Sequence, residues 1–150
     1  MNGLVKLKLC VRIILLALYV FSISLTFANA QCTPEEYSLN CIQRIREGFI
    51  YLKSYNIDGN RDSKDKVEYT TVFSRDTQYV LHICTGLPDT DGIVLTIYNP
   101  QREIMATNNT GDNINSELEF NCTTTGIYYL TFTFQSSKSM CGGCVLSFRK

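Results

Sequence analysis

The sequence has a single histidine, His82, among its 150 residues. A catalytic or metal centre built from several imidazoles is therefore excluded, and the apolar residues that alternate around His82 predict an ordinary strand position. No serine lies in a nucleophile-elbow context, and no pair of carboxylates has a recognisable catalytic setting. These absences favour a protein that is not an enzyme and that uses neither a metal nor another cofactor.

The first 30 residues predict a secretory signal peptide. Three cations, at Lys6, Lys8 and Arg12, precede an almost unbroken apolar run over 13–27, and the small residues of 28–30 follow it. This order is typical of a signal cleaved after residue 30, which leaves one domain at 31–150. We expect a secreted, periplasmic or cell-surface protein without stable membrane insertion after cleavage. An uncleaved anchor is the alternative, because residues 11–27 are nearly long enough to span a bilayer.

Positive charge is scarce after residue 30. Without the three cations of the signal, 11 Lys and Arg remain against 14 Asp and Glu, a formal charge of −3. The absence of a basic stripe argues against nucleic acid as a partner. The balance gives no attraction to anionic membranes either.

Cysteine is the abundant reactive residue. Cys10 leaves with the predicted signal, and six remain, so an exported chain is expected to form three disulfides from 15 possible connectivities. The six predicted disulfide residues are Cys32, Cys41, Cys84, Cys122, Cys141 and Cys144.

Geometry narrows the pairings. A helix between Cys32 and Cys41 separates them by roughly 11 Å, too far for a disulfide. If consecutive strands alternate in direction, Cys84, Cys141 and Cys144 meet at one end of the domain and Cys122 lies at the other. We therefore expect Cys84 to pair with Cys144 or Cys141, the other of these two with Cys32, and Cys41 with Cys122.

The periodicity predicts one helix followed by strands. Thr33 and Pro34 suit a helix start, apolar residues recur at helical spacing, and Gly48 suits its end, which predicts a helix over about 34–47. Beyond it the period becomes two, and turn residues separate the apolar runs. Eight strands are predicted, at 49–57, 67–74, 78–84, 93–99, 103–107, 117–122, 127–135 and 145–149. This spacing favours an antiparallel sandwich or barrel.

Alternation also predicts which side chains face the core. Leu118 and Phe120 oppose polar neighbours in one strand, and Tyr128, Leu130 and Phe132 form part of the strongest apolar face of the chain. A substitution of Phe132 by alanine is expected to cost about 3–5 kcal/mol if this face is core.

The segment 141–144, Cys-Gly-Gly-Cys, invites a catalytic interpretation as a dithiol redox pair. Such pairs need a thiolate stabilised at a helix N-terminus. Here a glycine-rich turn is predicted to lead into the last strand, so structural bridging is the better interpretation. An extracytoplasmic thiol–disulfide redox protein using Cys141 and Cys144 stays as the alternative function.

Two outward-facing tyrosines, Tyr98 and Tyr129, form a candidate ligand platform. Both are predicted on strand faces otherwise lined by threonines, where sugar rings stack on exposed aromatics between hydrogen-bonding groups. The alternative is that both are single surface aromatics favoured by β-propensity. Two glycosylation sequons begin at Asn108 and Asn121, and a disulfide at Cys122 would hinder the second.

The order of several segments resembles a known family. Residues 67–73, 79–81, 91–100 (Asp-Gly-Ile-Val-Leu-Thr-Ile-Tyr-Asn-Pro) and 126–130 (Gly-Ile-Tyr-Tyr-Leu) are similar to the bacterial pre-peptidase C-terminal type of domain. The combination with cysteines also resembles small secreted bacterial proteins. The resemblance implies a jelly-roll-like β-sandwich acting as a non-catalytic accessory module. We therefore expect a binding or structural module, secreted or attached to the envelope, whose target is a glycan or a protein.

Overall fold

The structure is a computed structural model that describes Arg12, residues 32–60 and residues 65–150. Apart from Arg12, the predicted signal peptide and Cys10 lie outside the described residues, so the cleavage site stays a prediction. Residues Cys32–Lys150 form one compact unit. None of the helices in the described ranges is long and apolar enough to cross a bilayer.

The described chain folds into one short helix followed by eight strands, as the periodicity predicts. Each strand lies within a few residues of its predicted position, and the strand predicted at 117–122 has the predicted bounds. The elements are α1 (Pro34–Ile42), β1 (Ile50–Asp58), β2 (Lys66–Phe73), β3 (Thr77–Cys84), β4 (Ile93–Tyr98), β5 (Ile104–Thr107), β6 (Glu117–Cys122), β7 (Gly126–Phe134) and β8 (Cys141–Arg149).

The strands form two four-stranded antiparallel sheets. Sheet A has the order β1-β8-β3-β6 and sheet B the order β2-β7-β4-β5. The chain crosses between the sheets at every connection except β4–β5, which is a hairpin within sheet B. Two four-stranded sheets with these crossings make a jelly-roll sandwich. The predicted fold class, mainly β with a jelly-roll-like sandwich and one N-terminal helix, is confirmed.

The core lies between the inner faces of the two sheets. Phe132, Leu95 and Leu81 are fully buried there, and Phe73 lies at the centre of an aromatic cluster with Tyr79, Phe120 and Tyr128. The inward faces predicted from alternation in β6 and β7 are therefore confirmed. Full burial of Phe132 also satisfies the condition attached to its predicted substitution cost.

The helix is shorter than predicted. α1 ends at Ile42, and tighter turns follow, in which Arg44 N donates to Cys41 O (2.9 Å) and Ile45 N donates to Ile42 O (3.2 Å). These turns bring Ile45 onto a small cluster with Cys41, Cys84 and Val145. The prediction of a helix to residue 47 is wrong because packing of Ile45 ends the regular helix early. Gly48 does take a left-handed conformation (φ +80°), but in the loop before β1.

Candidate functional site

The outer face of sheet A is covered by the N-terminal helix. α1 packs on β8, β1 and β3, and Ser38 lies against the backbone of Gly143. A Cβ atom at residue 143 would lie 2.3 Å from the Ser38 nitrogen, so only glycine permits this approach. Ser38 Oγ also donates to Tyr55 O (3.2 Å), which fixes the helix against β1.

The Cys-Gly-Gly-Cys segment is therefore a docking surface for the helix. It opens strand β8 and pairs with Asp58, Ile57 and Asn56 of β1, whereas the sequence predicted a turn there. The prediction failed because two glycines carry no side-chain alternation by which a strand can be recognised. Gly142 faces the other way, where a Cβ atom would lie 2.8 Å from Ile93 Cδ1.

Two disulfides hold the helix and its leading segment to sheet A. Cys32 is bonded to Cys141 and Cys41 to Cys84. The Cys32–Cys141 pair was one of the predicted possibilities, and the excluded Cys32–Cys41 pair does not form. The predicted Cys41–Cys122 pair and the pairing of Cys84 with Cys144 are wrong. Cys84 faces outward on β3, so its partner is the cysteine of the helix packed on that face.

Cys122 and Cys144 are buried free thiols, so the prediction of three disulfides is corrected to two among the described cysteines. Both face the core, on strands that flank β3. Cys122 pairs in register with Thr77 and Cys144 with Ile83. Six residues along β3 separate these positions by about 20 Å, which no disulfide can span.

The dithiol interpretation of Cys141 and Cys144 finds no support in this geometry. Cys141 is already bonded to Cys32, and the two side chains point to opposite faces of β8 because they are three residues apart. Cys144 is fully buried, and this burial raises the pKa of its thiol far above the usual range. A buried, protonated thiol is a poor nucleophile.

The single histidine lies on the covered face of sheet A. His82 is 6% exposed, and its Nδ1 lies 3.3 Å from Glu117 Oε2 on the neighbouring strand β6. Arg46 pairs with both Glu117 and Glu119. Burial, with Arg46 and Arg44 nearby, lowers the pKa of His82. The expectation of an ordinary strand residue is confirmed by its position in β3.

Asp91 ties the loop between β7 and β8 to the start of β4. Its carboxylate accepts hydrogen bonds from Ser137 Oγ (2.9 Å), Ser139 Oγ (2.7 Å) and the backbone nitrogens of Lys138 and Ser139. Desolvation acts to raise the pKa of Asp91, but these hydrogen bonds lower it to about 2. The Asp91 carboxylate therefore stabilises the β7–β8 loop. The described ranges contain no cluster of side chains suited to a metal ion.

Among the described residues, no helix packs on the outer face of sheet B, and the predicted platform lies there. Tyr98 on β4 and Tyr129 on β7 are directly opposite each other, and Thr70 continues this row on β2. Both tyrosines are partly exposed. The next row across the sheet is polar and consists of Glu68, Thr131, Thr96 and Thr107.

Arg102 reaches over this face from the turn between β4 and β5. Its guanidinium carbon lies 3.9 Å from the centre of the Tyr129 ring, a cation–π contact. Its two terminal nitrogens donate to the two oxygens of Glu68, at 2.8 and 3.0 Å. Thr131 Oγ1 donates to the same carboxylate (2.9 Å). Together these groups make a planar ion pair beside a stacked aromatic ring.

Arg102 has a left-handed backbone conformation in the hairpin turn between β4 and β5. Its φ is +64°, a left-handed conformation that costs a residue with a Cβ roughly 1–2 kcal/mol. The turn is held by hydrogen bonds from Arg102 N to Asn99 O (3.0 Å) and from Glu103 N to Asn99 Oδ1 (2.9 Å). The geometry of the turn therefore accounts for this conformation, which places the Arg102 side chain over sheet B.

Electrostatics keep the Arg102–Glu68 pair charged. The hydrogen bonds from Arg102 lower the pKa of Glu68, and Glu68 raises the pKa of Arg102. Sequence reasoning missed both residues. Glu68 stands in a predicted strand, but Arg102 stands in a turn, where a left-handed arginine leaves no pattern.

The two sequons have different environments. Asn108 is 1% exposed, and its amide accepts from Leu95 N (2.8 Å) and donates to Asn115 O (2.7 Å), so it is part of the fold. Asn121 is exposed on the edge strand β6. Cys122 carries no disulfide, so the expected hindrance at the second sequon is absent.

Comparisons with known proteins add a distant structural likeness. No family model matches the chain, and no curated protein matches its sequence. Among solved structures, it is similar to PliG of Aeromonas hydrophila, a periplasmic lysozyme inhibitor of g-type lysozyme. The TM-score is 0.44 with 14% identity, covering 68% of this chain and 87% of that chain. The resemblance to the pre-peptidase C-terminal domain is thus limited to the β-sandwich architecture.

Proposed function

We propose that this protein is a non-catalytic glycan-binding module that acts outside the cytoplasm. The observation that carries the proposal is the facing pair Tyr98 and Tyr129 on the open outer face of sheet B. The Tyr98 ring offers a flat apolar surface to the C–H face of a sugar, and the phenol group of Tyr129, whose ring lies under Arg102, adds a hydrogen bond. Thr70, which is exposed in the same row as the two tyrosines, adds a hydroxyl that can donate to or accept from a sugar hydroxyl.

The sequence and the disulfides support this location. Cys32–Cys141 and Cys41–Cys84 are bonds of the kind that form and persist in secreted or periplasmic proteins. They agree with the predicted signal peptide. A non-catalytic role also agrees with the accessory function that the pre-peptidase resemblance implies.

The test is affinity electrophoresis of the mature domain, residues 31–150, through gels that contain soluble polysaccharides. We expect retardation by at least one polysaccharide and loss of it in the double variant Tyr98→Ala/Tyr129→Ala. Tyr51→Ala is the matched control, because Tyr51 is an exposed strand tyrosine (45% exposed) on the edge strand of sheet A. Retardation that survives in the double variant would place the site elsewhere.

If none of the polysaccharides retards the domain, a glycan ligand is rejected. Crosslinking of the mature domain to proteins of the source's envelope and secreted fractions then tests a protein target. If capture of a protein depends on Tyr98 and Tyr129, the outer face of sheet B is the binding surface and its ligand is a protein.

A further inference from the structure

We propose that the Arg102–Glu68 ion pair is the polar half of the glycan site and selects an uncharged sugar through two neighbouring hydroxyl groups. The inference rests on the proposed function and names its ligand class. Its basis is the placement of the pair, which lies beside the Tyr98–Tyr129 row and is attached to it by the stacking of Arg102 on Tyr129.

The pair has hydrogen-bonding capacity left in both directions. A guanidinium has five N–H donors, and Arg102 uses two of them on Glu68. The Glu68 carboxylate accepts those two and one from Thr131, whereas a carboxylate offers about four acceptor sites. Neighbouring hydroxyls of a sugar match this arrangement, because one accepts from the guanidinium while the other donates to the carboxylate.

The position of the pair is fixed before any ligand arrives. Arg102 is held in its left-handed conformation by the Asn99 turn, and Glu68 is held by Thr131. A site whose polar groups are already ordered loses less free energy on binding. Because β7 lies between β4 and β2 in sheet B, the path of Arg102 from the β4–β5 turn to Glu68 crosses the Tyr129 ring.

Charge on this face favours a neutral ligand. Arg102 and Glu68 compensate each other, and Lys66 and Glu103 add one charge of each sign nearby. An acidic sugar would bring a carboxylate towards Glu68, which remains ionised at neutral pH. Transfer of a charge out of water without a partner is unfavourable. Binding is therefore expected to depend little on salt.

The test compares neutral polysaccharides (galactomannan, glucomannan and arabinoxylan) with acidic ones (alginate and polygalacturonate) by affinity electrophoresis and calorimetry. We expect the unmodified domain to prefer a neutral polysaccharide, with affinity changing less than about twofold between 0.05 and 0.5 M NaCl. Glu68→Gln and Arg102→Lys should each lower that affinity about 10-fold or more, as expected for hydrogen bonds to charged groups. Both variants keep the size of the side chain, and thermal unfolding confirms that they fold.

Arg75→Ala is the matched control, because Arg75 forms an exposed ion pair with Asp76 away from this face. Three results overturn the inference. If Glu68→Gln and Arg102→Lys bind normally while Tyr98→Ala/Tyr129→Ala does not, the platform stands and the ion pair has no binding role. Preference for alginate or polygalacturonate contradicts the neutral ligand. Absence of binding to every polysaccharide rejects the proposed function itself.

Discussion

The outer faces of the two sheets are built from strands of similar length, but among the described residues only the face of sheet A is covered by a helix. On sheet A, Val80, Val145 and Ser147 are fully buried beneath the segment that includes α1. On sheet B, the outward threonines and tyrosines are partly or fully exposed except Thr131, and Val94 is the other buried outward residue. Covering sheet A requires a glycine, two disulfides and a buried histidine, whereas the sheet B face needs none of these for folding.

The difference separates residues that serve stability from residues that are free for binding. The helix on sheet A removes that face from any contact with a ligand. On sheet B, Arg102 and its partner Glu68 remain in contact with solvent. The open face is therefore the region where substitution is expected to change binding more than stability.

The largest expected contrast is between the two faces of β7. Phe132→Ala should lower the free energy of unfolding by about 3–5 kcal/mol, because the ring is fully buried between the sheets. Thr133→Ala, one residue further along and on the open face, should change it by less than about 0.5 kcal/mol. Urea unfolding of both variants measures this, and equal losses would contradict the assignment of an open face.

The next contrast is the disulfide that ties the helix to sheet A. Cys41→Ala/Cys84→Ala should cost about 2–4 kcal/mol, because the bond closes a loop with a sequence separation of 43. Faster amide exchange over 34–42 is expected as the helix loosens. Glycan binding on the opposite sheet should persist in the folded variant. Unchanged exchange in the helix would show that packing alone holds it.

Features that depend on residues close together in the sequence could be predicted, and features that depend on distant residues could not. β6 was placed at Glu117–Cys122 because strict alternation marks a half-buried strand. The Cys41–Cys84 bond was missed because it depends on which sheet the helix covers, and local periodicity carries no such information. Arg102 was missed for a similar reason, since its role arises from a turn conformation and from a partner 34 residues away.

A smaller effect is expected where the helix meets β8. Gly143→Ala should cost about 1–3 kcal/mol, because the new methyl group would overlap backbone atoms of Ser38. Gly126→Ala in β7 is the matched control, since a Cβ atom there would have no neighbour within 4 Å. Thermal unfolding should show a lower Tm for the first variant alone. A tolerated Gly143→Ala would mean that the helix can shift without loss.

The smallest expected effect is the response of the covered face to acid. Burial, Arg46 and Arg44 lower the pKa of His82 in the folded state, so the unfolded state binds the proton more readily. Stability that depends on the neutral imidazole is present above the unfolded pKa of about 6.5 and falls as the pH drops below it. The neighbouring Glu117 carboxylate stabilises the protonated imidazole. The size of the loss of stability therefore measures how far burial and the two arginines outweigh Glu117. His82→Gln should remove this part of the pH dependence of urea unfolding between about pH 7 and 5. If the free energy of unfolding of His82→Gln still falls between pH 7 and 5, the pH dependence arises from groups outside the covered face. The two faces would then not differ in their response to pH.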